Sequence, residues 1–395
     1  MLHSDQTNAD SLLLLVAGAK GAVASTLAVA LAAMRRDPAS VLPSLTTGHM
    51  FADSGLLQVT WLAGWDTSAE RYTAAIKRHG VLPDAIWQPH AEELDQTPVI
   101  NAPDSATDFK EQVDQLSRDI NEFKSRHQGA RAVFIDLLPA ASHQDLNACQ
   151  DLSQLFAEAD VSNLPDLAYT LAAIKSGVPV VNFTPNPVEI PAVLDEAVKI
   201  GLPIVGRDGK TGQTYLKVVL ASALKARNLL VDGWYSLNIL GNADGANLMD
   251  PDRAAEKLRN KTSLLDDILE YEVGRQYGAP THKVHIDYYP PRGDAKEAWD
   301  AIDFTGLFGL PMSIRLNLLG RDSILAAPLV LDLARWAVAL QMAGRSGPIP
   351  ELSFYFKKPV GDSPPLTFQD QVTSLAKLER ECQELIKLNF SKLNL

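Results

Sequence analysis

The sequence predicts an α/β protein in which a doubly wound parallel sheet carries an inserted α+β domain. Through the first 205 residues, apolar runs such as Leu12–Ala17 and Ala132–Leu138 alternate with helix-like segments. Continuous apolar runs are typical of strands buried on both faces, and their alternation with helices specifies a parallel sheet. Farther along, Lys283–Tyr289 and Pro311–Leu319 alternate apolar and polar residues. Such one-sided strands indicate a second, separate sheet.

Length, charge and composition limit the function. The chain has 395 residues, more than one simple core accommodates, which suggests two domains that could interleave. Its net charge of −12 argues against a nucleic acid partner, because a phosphate backbone requires a basic surface. Cys149 and Cys382 alone form no disulfide framework and no metal motif. His282 and His285 would face opposite sides of a strand, so no metal site is predicted.

No segment is predicted to enter a membrane. The apolar run Leu12–Ala17 is too short to span a bilayer and lacks the basic start of a signal peptide. No later run is expected to be both long enough and free enough of charge to span. A reducing, cytoplasmic compartment is the resulting expectation.

A glycine turn after the first strand predicts a dinucleotide site. The segment GAKGAVA, residues 18–24, leads from the strand into an Ala- and Leu-rich helix. Strand, glycine turn and helix are the context of a pyrophosphate-binding fingerprint, because glycine lets the backbone approach the ligand. The spacing is not G-x-G-x-x-G, so a purely structural turn is an equal alternative. The residues that would contact the cofactor are Gly18, Ala19, Gly21, Ala22 and Val23.

An acid after the second strand favours NAD over NADP. The predicted strand Leu56–Leu62 is followed by Gly64-Trp65-Asp66. A carboxylate at this position can bind ribose hydroxyls and would repel a 2′-phosphate. Asp66 could also cap the helix through Arg71–Arg78, and the two roles are compatible.

The remaining elements are predicted from periodicity. Helices are expected at Phe109–Arg126, Leu164–Ser176, Val188–Ile200, Gln213–Arg227, Ile324–Met342 and Phe368–Leu388. Further strands are expected at Val178–Phe183, Pro203–Val205 and Leu352–Lys357. Asn182 lies at the carboxyl end of its strand, where open α/β sheets bind ligands, and is assigned to the cofactor site.

Residues 205–261 concentrate polar and glycine residues that a packed core does not require. Asp208, Lys210 and Thr211 lie on a glycine-rich turn, VGRDGKTGQT, that should lead into a helix near residue 213. Exposed backbone N–H groups and a positive helix end suit such a turn to an anion.

Two further motifs follow in the same stretch. Asn238, Asn242 and Asp244 lie on a second glycine-interrupted segment, YSLNILGNADGANL. Lys257 and Lys261 are four residues apart, so on a helix both would project from one face. A lysine pair of this kind is most often a solvated face. The ordered series of motifs, rather than any single one, indicates a functional site.

This series resembles the inositol-3-phosphate synthase family. The family segment G-D-D-x-K-S-G-Q-T corresponds to residues 206–214, and N-x-x-G-N-x-D-G corresponds to residues 238–245. The element S-K-x-x-x-S-K corresponds to the region of Lys257 and Lys261. The segments DSILAAP at 322–328 and FKKP at 356–359 also resemble family motifs, as does the first glycine turn. The order and spacing of several motifs make the resemblance specific.

The resemblance implies conversion of D-glucose 6-phosphate to 1D-myo-inositol 3-phosphate without net redox change. NAD takes hydride from C5, a proton leaves C6, the enolate closes on C1 as an aldol, and the hydride returns. It implies an NAD-binding Rossmann-type domain at residues 1–205 and 325–395, and a catalytic and oligomerisation α+β domain at residues 206–324. A homotetramer built through the second domain is implied as well.

The resemblance also assigns roles to single residues. The implied catalytic residues are Lys257, Lys261, Lys357, Asp244 and Asp322. The implied substrate-binding residues are Asn238, Asn242, Thr211, Gly212 and Lys358, the last being the alternative to Lys357 if the register slips by one. Asp208, Lys210 and Ser323 join the implied cofactor-binding residues. Lysines suit enolisation, because they place positive charge beside an oxyanion and can move a proton.

One position departs from the family. The segment V-I-K-Y-x-P-x-x-G-D-S-K corresponds to residues 285–296, so Asp287 stands where the family carries an active-site lysine. Strand alternation points Asp287 away from the apolar face, where it can face a polar pocket. Arg292, Arg315 or Lys358 could supply the missing cation.

Three functions therefore stay open. They are a synthase of this family, an NAD enzyme acting on another sugar phosphate or small acid, and a non-catalytic NAD-binding homologue. Net NADH production separates the first two, since a synthase produces none at turnover.

Overall fold

The computed structural model of the chain describes residues 11–47, 59–141, 144–159, 165–249, 264–278 and 281–393. A parallel sheet of seven strands has the order β11-β6-β5-β4-β1-β2-β3. The strands are β1 (Ser11–Ala17), β2 (Val59–Asp66), β3 (Val99–Asn101), β4 (Arg131–Asp136), β5 (Val180–Asn182), β6 (Pro203–Val205) and β11 (Gly347–Pro348). The run 3-2-1-4-5-6 is the strand order of a Rossmann-type sheet, whose order reverses between β1 and β4.

Helices cover both faces of this sheet and continue into the rest of the chain. They are α1 (Ala22–Arg36), α2 (Tyr72–His79), α3 (Asp84–Trp87), α4 (Ala91–Asp95), α5 (Phe109–Arg126), α6 (Leu152–Glu158), α7 (Pro165–Lys175), α8 (Pro191–Ile200), α9 (Gln213–Ala226), α10 (Ala243–Asn247), α11 (Asp322–Met342) and α12 (Phe368–Leu393). Residues 264–269 form a further helical segment.

The two faces of β1 pack into different cores, which explains its continuous apolar sequence. Leu12, Leu14 and Val16 belong to the core that includes α1 and α11, whereas Leu13 and Leu15 belong to the core that includes α5 and α7. Every residue of β1 is buried. The predicted doubly wound sheet is confirmed.

A second sheet has four strands in the order β10-β9-β7-β8. They are β7 (Leu230–Leu240), β8 (His282–Tyr288), β9 (Ala295–Thr305) and β10 (Pro311–Arg321). The central strand β9 is antiparallel to both β7 and β10, and β8 joins β7 in parallel. The sequence patterns identified β8 and β10 but missed β7 and β9, because buried polar residues such as Ser236, Asn238 and Asp300 interrupt their apolar faces.

The second sheet buries one face and exposes the other. Val218 and Ala221 of α9 pack against Trp234 and Ile302 on the buried face. Tyr235 (44 %) and Trp299 (51 %) are large apolar side chains on the exposed face. All four strands lie between residues 230 and 321. The division of the chain into domains at residues 205/206 and 324/325 stays a prediction.

The prediction of a strand at Leu352–Lys357 is wrong. Pro350 begins a short 3-10 helix that runs to Tyr355, since proline suits the first turn of a helix. The chain becomes extended only after that helix. The capping role predicted for Asp66 is also wrong, because Arg71 is the N-cap of α2 and Asp66 ends β2.

The helix α11 is long and apolar enough to cross a membrane by length and composition, contrary to the sequence-based expectation. Its most apolar window has a mean hydropathy of 1.6, and 78 % of that window is buried inside the protein. Asp332 within the helix accepts hydrogen bonds from the backbone N–H groups of Thr46 (3.0 Å) and Thr47 (2.9 Å). A buried core helix with charged residues accounts for these features.

Two buried acids hold together the loops that follow β4 and β5. Asp136 and Asp166 are fully buried and hydrogen-bonded to each other, and burial followed by their mutual charge raises the pKa of Asp136. Burial also raises the pKa of Asp166. Asp166 accepts a hydrogen bond from Asn186 Nδ2 (2.8 Å), which also donates to the carbonyl of Pro139 (3.0 Å). Two carboxyl groups in this arrangement hold one proton between them.

We expect Asp136→Asn to flatten the decline in stability with rising pH. A carboxyl whose pKa is raised on folding loses stability as pH rises from its unfolded pKa to its folded pKa, at about 1.4 kcal/mol per pH unit. An asparagine amide can donate to Asp166 without a titrating proton. Urea unfolding from pH 5 to pH 9 measures the slope, with Asp114→Asn at a partly exposed ion pair as the control. An unchanged slope in Asp136→Asn would contradict the shared proton.

Candidate active site

A cavity of about 570 Å³ lies between the two sheets. One wall comes from the carboxyl side of the first sheet, through residues 18, 21–24, 137–140 and 183–185. The opposite wall comes from the ends of β7 and β10 and the start of β9. The glycine-rich turn before α9, Lys357 and the end of α2 also contribute to the lining. Ligands bind at the carboxyl ends of strands in open α/β sheets, so the position agrees with the sheet topology.

The first glycine turn brings the start of α1 to the cavity. Gly18, Gly21, Ala22 and Val23 line it, and no side chain caps the helix at Gly21. Gly18 has φ +77°, and a Cβ there would lie 3.1 Å from the carbonyl oxygen of Leu137. The N–H groups of the first helical turn have no intrahelical partners and point toward the cavity end of the helix. This is an anion-binding arrangement.

Two predicted cofactor residues brace this turn instead of lining the cavity. The backbone N–H of Ala19 donates to the carbonyl of Trp65 (3.0 Å). The Asp66 carboxylate accepts from the N–H groups of Lys20 (2.7 Å) and Ser68 (2.9 Å). Asp66 is not among the residues that line the described cavity, and ribose binding by its carboxylate stays a prediction.

The glycine-rich turn at residues 206–212 brings a second helix start to the same cavity. Thr211, Gly212, Gln213 and Thr214 line it, and no side chain caps α9 at Gly212. The side chain of Gln213 is fixed by the second sheet, because its Nε2 donates a hydrogen bond to Asp300 Oδ2 of β9 (2.9 Å). The turn at which the sequence predicts an anion site therefore lies on the cavity.

The same turn pairs with the segment after the 3-10 helix and aligns a lysine with an aspartate. Backbone hydrogen bonds join Arg207 N to Lys358 O (2.8 Å) and Lys357 N to Asp208 O (2.8 Å). Lys357 Nζ lies 2.6 Å from Asp208 Oδ1, and both side chains line the cavity. Lys358 does not line it, so the geometry favours Lys357 in the register left open by the sequence.

Lys210 is buried behind this turn. Its Nζ donates to the carbonyl of Ser353 (3.0 Å) and to Gln371 Oε1 (2.9 Å) of α12. Burial, with a smaller effect of the charge on Lys357, lowers the pKa of Lys210 to about 7. Lys210 is not among the residues that line the described cavity, and its assignment as a cofactor contact stays a prediction.

The second sheet contributes a polar wall. Lys296 Nζ lies 3.2 Å from Asp322 Oδ2, and Thr211 Oγ1 donates to Asp322 Oδ1 (3.3 Å). Ser323 Oγ donates to Asp294 Oδ1 (2.8 Å). These three contacts form because β9, the end of β10 and the start of α11 converge at the cavity.

The described charges of the cavity wall balance. The lining residues include three cations and three carboxylates, namely Arg78, Lys296, Lys357, Asp208, Asp294 and Asp322. Burial, followed in smaller part by the charge of Asp322, raises the pKa of Asp294. Since these charges offset one another, the attraction for an anion in this part of the cavity comes chiefly from the N–H groups at the two helix starts.

Several predicted residues lie elsewhere. Asn242 lines the cavity, but Asn238 is buried within β7 and Asn182 donates to the carbonyl of Asn186 (2.7 Å). Lys257 and Lys261 lie outside the described residues, as does the side chain of Asp244. Metal ligands were not predicted, and the described part of the chain contains no group of three metal-ligating side chains.

Asp287, and the two arginines that could supply the cation missing at its position, lie outside the described lining of the cavity. The Asp287 side chain is 53 % exposed, and its Oδ1 lies 2.9 Å from His285 Nε2. Arg292 pairs with Glu297, and Arg315 lies 3.4 Å from Asp303 Oδ1. None of Asp287, Arg292 and Arg315 lines the described cavity, so the expectation that Asp287 faces its polar wall is not met.

Sequence reasoning missed four ionisable side chains of the wall. They are Arg78, His79, Asp294 and Lys296. The first two are the last residues of α2, and no local sequence pattern shows that this helix ends at the cavity. The last two belong to the segment G-D-A-K, which served only to fix the register of Asp287.

A sequence profile of the Myo-inositol-1-phosphate synthase family matches residues 212–323. This range contains the start of α9, the whole second sheet and the Asp322–Ser323 pair. The chain is also 38 % identical over 391 residues to inositol-3-phosphate synthase 1 of Bacteroides thetaiotaomicron, with 88 % of this chain and 89 % of that protein covered. The chain belongs to the inositol-3-phosphate synthase family. The resemblance seen in the motifs is confirmed.

Other relatives of this family member extend the comparison. It is 32 % identical over 298 residues to an inositol-3-phosphate synthase of Spirodela polyrhiza, covering 68 % of this chain and 58 % of the plant protein. The solved inositol-3-phosphate synthase of Caenorhabditis elegans superposes with a TM-score of 0.78 at 20 % identity, covering 94 % of this chain and 86 % of that one. A myo-inositol-1-phosphate synthase-related protein of Thermotoga maritima gives 0.74 at 20 % identity, covering 94 % and 98 %. These structures share the fold.

Proposed function

We propose that the protein converts D-glucose 6-phosphate to 1D-myo-inositol 3-phosphate with bound NAD. The observation that carries this proposal is a single cavity lined by the starts of two helices, α1 and α9, from opposite walls. A helix start binds phosphate groups through its N–H groups and its dipole. A dinucleotide and a sugar phosphate bring two separate anionic groups, and the two helix starts support the proposal because one is available for each group.

The glycine turn fits the pyrophosphate of the dinucleotide. Gly18 and Gly21 bring the backbone to the cavity surface without side chains, and the start of α1 carries no acidic residue in its first turn. Bound NAD would supply the hydride acceptor at the start of the reaction and the hydride donor at its end. The start of α9, with Thr211 and Gly212, would hold the phosphate of the sugar.

Charged side chains at the cavity suit the proton transfer and ring closure. Lys357 is proposed to move a proton at its Nζ, with Asp208 at 2.6 Å orienting the ammonium group. Lys296 would place positive charge beside a developing oxyanion, and Asp322 would orient it through their 3.2 Å contact. Lys257, Lys261 and Asp244 remain proposed catalytic residues, and Asn238 and Asn242 proposed substrate ligands, from the family resemblance.

A related NAD enzyme acting on another sugar phosphate is the second candidate. Asp287 favours it, because the family carries a lysine at this position. Asp287 lies outside the described lining of the cavity, so its charge acts at a distance from the groups described above. Product identification separates the two candidates.

A cytoplasmic location is proposed with this function. Both cysteines are buried and unbridged, as is usual in a reducing compartment. Fractionation of cells that express a tagged chain tests the location, and recovery in an extracellular or membrane fraction would contradict it.

We expect Ala22→Asp to weaken NAD binding without loss of stability. A carboxylate in the first turn of α1 favours the helix dipole but repels the pyrophosphate. Ala22→Asn, which has nearly the same shape and no charge, is the matched control. Calorimetric titration should give an affinity for NAD at least roughly tenfold lower for Asp than for Asn. Equal affinities would place the dinucleotide elsewhere.

We expect the natural protein to form inositol phosphate from glucose 6-phosphate and NAD without net production of NADH. We expect the Lys357→Met variant to have a turnover number that is lower by roughly a hundredfold or more, because it lacks the proposed proton-transfer group. Lys358→Met is the control, because it keeps the same backbone pairing and removes a charge outside the cavity. Its turnover number should stay near that of the natural protein. Product analysis by phosphorus NMR and absorbance at 340 nm measure both. The reverse pattern would assign the active-site lysine to Lys358, and net NADH would favour the second candidate.

We propose that the exposed face of the second sheet joins subunits into a homotetramer. Tyr235 and Trp299 lie on this face, and the adjoining β9–β10 turn exposes Phe308. Exposed apolar patches of this kind mark protein contacts. Sedimentation velocity should give a tetramer that Trp299→Glu dissociates and that Ile86→Glu, on α3, leaves intact. A monomeric natural protein would contradict the proposal.

A further inference from the structure

The aspartate that replaces a family lysine lies on the exposed face of the second sheet. Asp287 is near the end of β8, outside the described lining of the cavity. Alternate side chains of a strand share one face, so Lys283 and His285 lie on the same face as Asp287. A charge change at this position therefore alters a surface rather than the described cavity wall.

The exposed face is a grid of three rows, with one residue from each strand in every row. From β8 to β10 the rows are Lys283-Tyr235-Ala301-Arg315, His285-Leu237-Trp299-Asn317 and Asp287-Ile239-Glu297-Leu319. The lysine and the arginine of the face are in the first row, and both acidic residues are in the third. Apolar side chains from β7 and β9 lie between these charges. The face therefore has a basic end, an acidic end and a largely apolar middle.

The charges at the β8 edge of this grid have the least compensation within the chain. In the outer rows Arg315 and Glu297 form ion pairs with neighbouring residues. Lys283 is exposed, and no carboxylate of the described residues forms an ion pair with it. Asp287 Oδ1 lies 2.9 Å from His285 Nε2, a contact that joins two full charges only when the imidazole is protonated. Lys283 and Asp287 are thus available to an external partner.

Lys283 and Asp287 cannot neutralise each other within one chain. They are four residues apart on the same strand, which separates their Cα atoms by about 13 Å. Opposite charges at the two ends of a surface with exposed apolar side chains suit a partner whose charges are in the reverse order. Such a partner would bury the apolar middle and place each charge beside its opposite.

A second copy of this chain presents the reverse order. Two sheets can pack face to face about a two-fold axis that runs along the middle row, so that the strands of the two copies are antiparallel. Each strand then faces itself, and Lys283 of each copy lies against Asp287 of the other. The pair forms twice, because contacts across a two-fold axis are reciprocal. Trp299, in the middle row, meets its own copy at the axis.

The other face-to-face arrangement is less favourable. A two-fold axis along the strands would bring each row against the same row of the second copy. Lys283 would then lie against Arg315, and the acidic row would gain no cation. Like charges placed together oppose association, so the charge pattern selects the antiparallel arrangement.

We propose that the exposed face of the second sheet binds a second copy of the chain in this antiparallel arrangement, with Lys283 of each copy paired to Asp287 of the other. The proposal rests on the homotetramer of the proposed function and specifies the geometry of one of its interfaces. A lysine at position 287 would place two cations together in the same arrangement. Asp287 therefore makes this face complementary to itself.

The test reverses each charge singly and then both together in the full chain. Lys283→Asp and Asp287→Lys each turn both attractive pairs of the interface into repulsive ones. Although an exposed ion pair contributes modestly, the symmetry doubles the effect. Each single variant should raise the dissociation constant of the assembly roughly tenfold or more in sedimentation equilibrium at low ionic strength. The variant with both changes restores opposite charges and should assemble like the natural protein.

Mixing the two single variants tests the pairing without the double variant. In a mixed pair of subunits every facing charge is again opposite, so an equimolar mixture should assemble more tightly than either variant alone. Salt should weaken the association of the natural protein and strengthen that of each single variant, because screening reduces both attraction and repulsion.

Matched controls come from an exposed ion pair between α5 and α7. Asp114→Lys and Lys175→Asp change the net charge by the same amounts as the two test variants, away from the second sheet, and should leave assembly unchanged. Melting temperatures identify any variant that fails to fold. Unchanged association in both single test variants would overturn the proposal. So would a mixture, or a folded double variant, that associates no better than the single variants.

Failure of this inference is distinguishable from failure of the proposed function. If the natural protein is a tetramer that charge reversal does not weaken, the tetramer stands and the antiparallel arrangement is wrong. If the natural protein is a monomer, the tetramer and the arrangement are both wrong. Formation of inositol phosphate judges the proposed reaction in either case.

Discussion

The site depends on a short backbone ladder between two segments that are about 150 residues apart. Residues 206–210 pair with residues 355–360 through hydrogen bonds such as Lys210 N to Tyr355 O (2.7 Å) and Val360 N to Gly206 O (2.8 Å). This pairing places Lys357 beside Asp208 and leads the chain from β6 to the start of α9. Register in such a ladder is decisive, because a shift of one residue would turn Lys357 away and present Lys358.

Polar groups at the site are of two kinds: some line the cavity, and others are hydrogen-bonded within the protein and hold the lining segments in place. Lys210, Asp66 and Asn182 look like ligand-binding residues in the sequence, yet each is committed to protein partners. They fix the turns whose backbone N–H groups reach the cavity. Asp136 and Asp166 act similarly on the loops after β4 and β5. The cavity surface is therefore largely backbone and a few charged pairs, held in place by a buried polar layer.

Much of the fold could be predicted from the sequence, because its strongest signals are local. The apolar run of β1, both glycine turns and the long helices appear in the structure close to their predicted bounds. β7 and β9 were missed because Asn238 and Asp300 are buried polar residues whose partners lie on other elements. The strand predicted at Leu352–Lys357 ignored the effect of Pro350.

The candidate site was harder to predict, since it depends on which residues the topology brings together. Motif spacing found Lys357, Asp322 and Thr211, which lie on different elements that meet at the cavity. Spacing could not find His79 or Asp294, because their importance comes from packing of α2 and β9 against the first glycine turn. It also could not distinguish Lys210, behind the turn, from Lys357 in front of it.

The connections between the two sheets have a mechanical consequence. The chain leaves the first sheet through residues 206–212 and comes back at the junction of Arg321 and Asp322. Both crossings line or border the cavity, with Thr211 and Asp322 in direct contact. A rotation of one sheet relative to the other must bend these same segments. The segments that connect the two sheets therefore also line the cavity, so a ligand that contacted both of them would resist such a rotation.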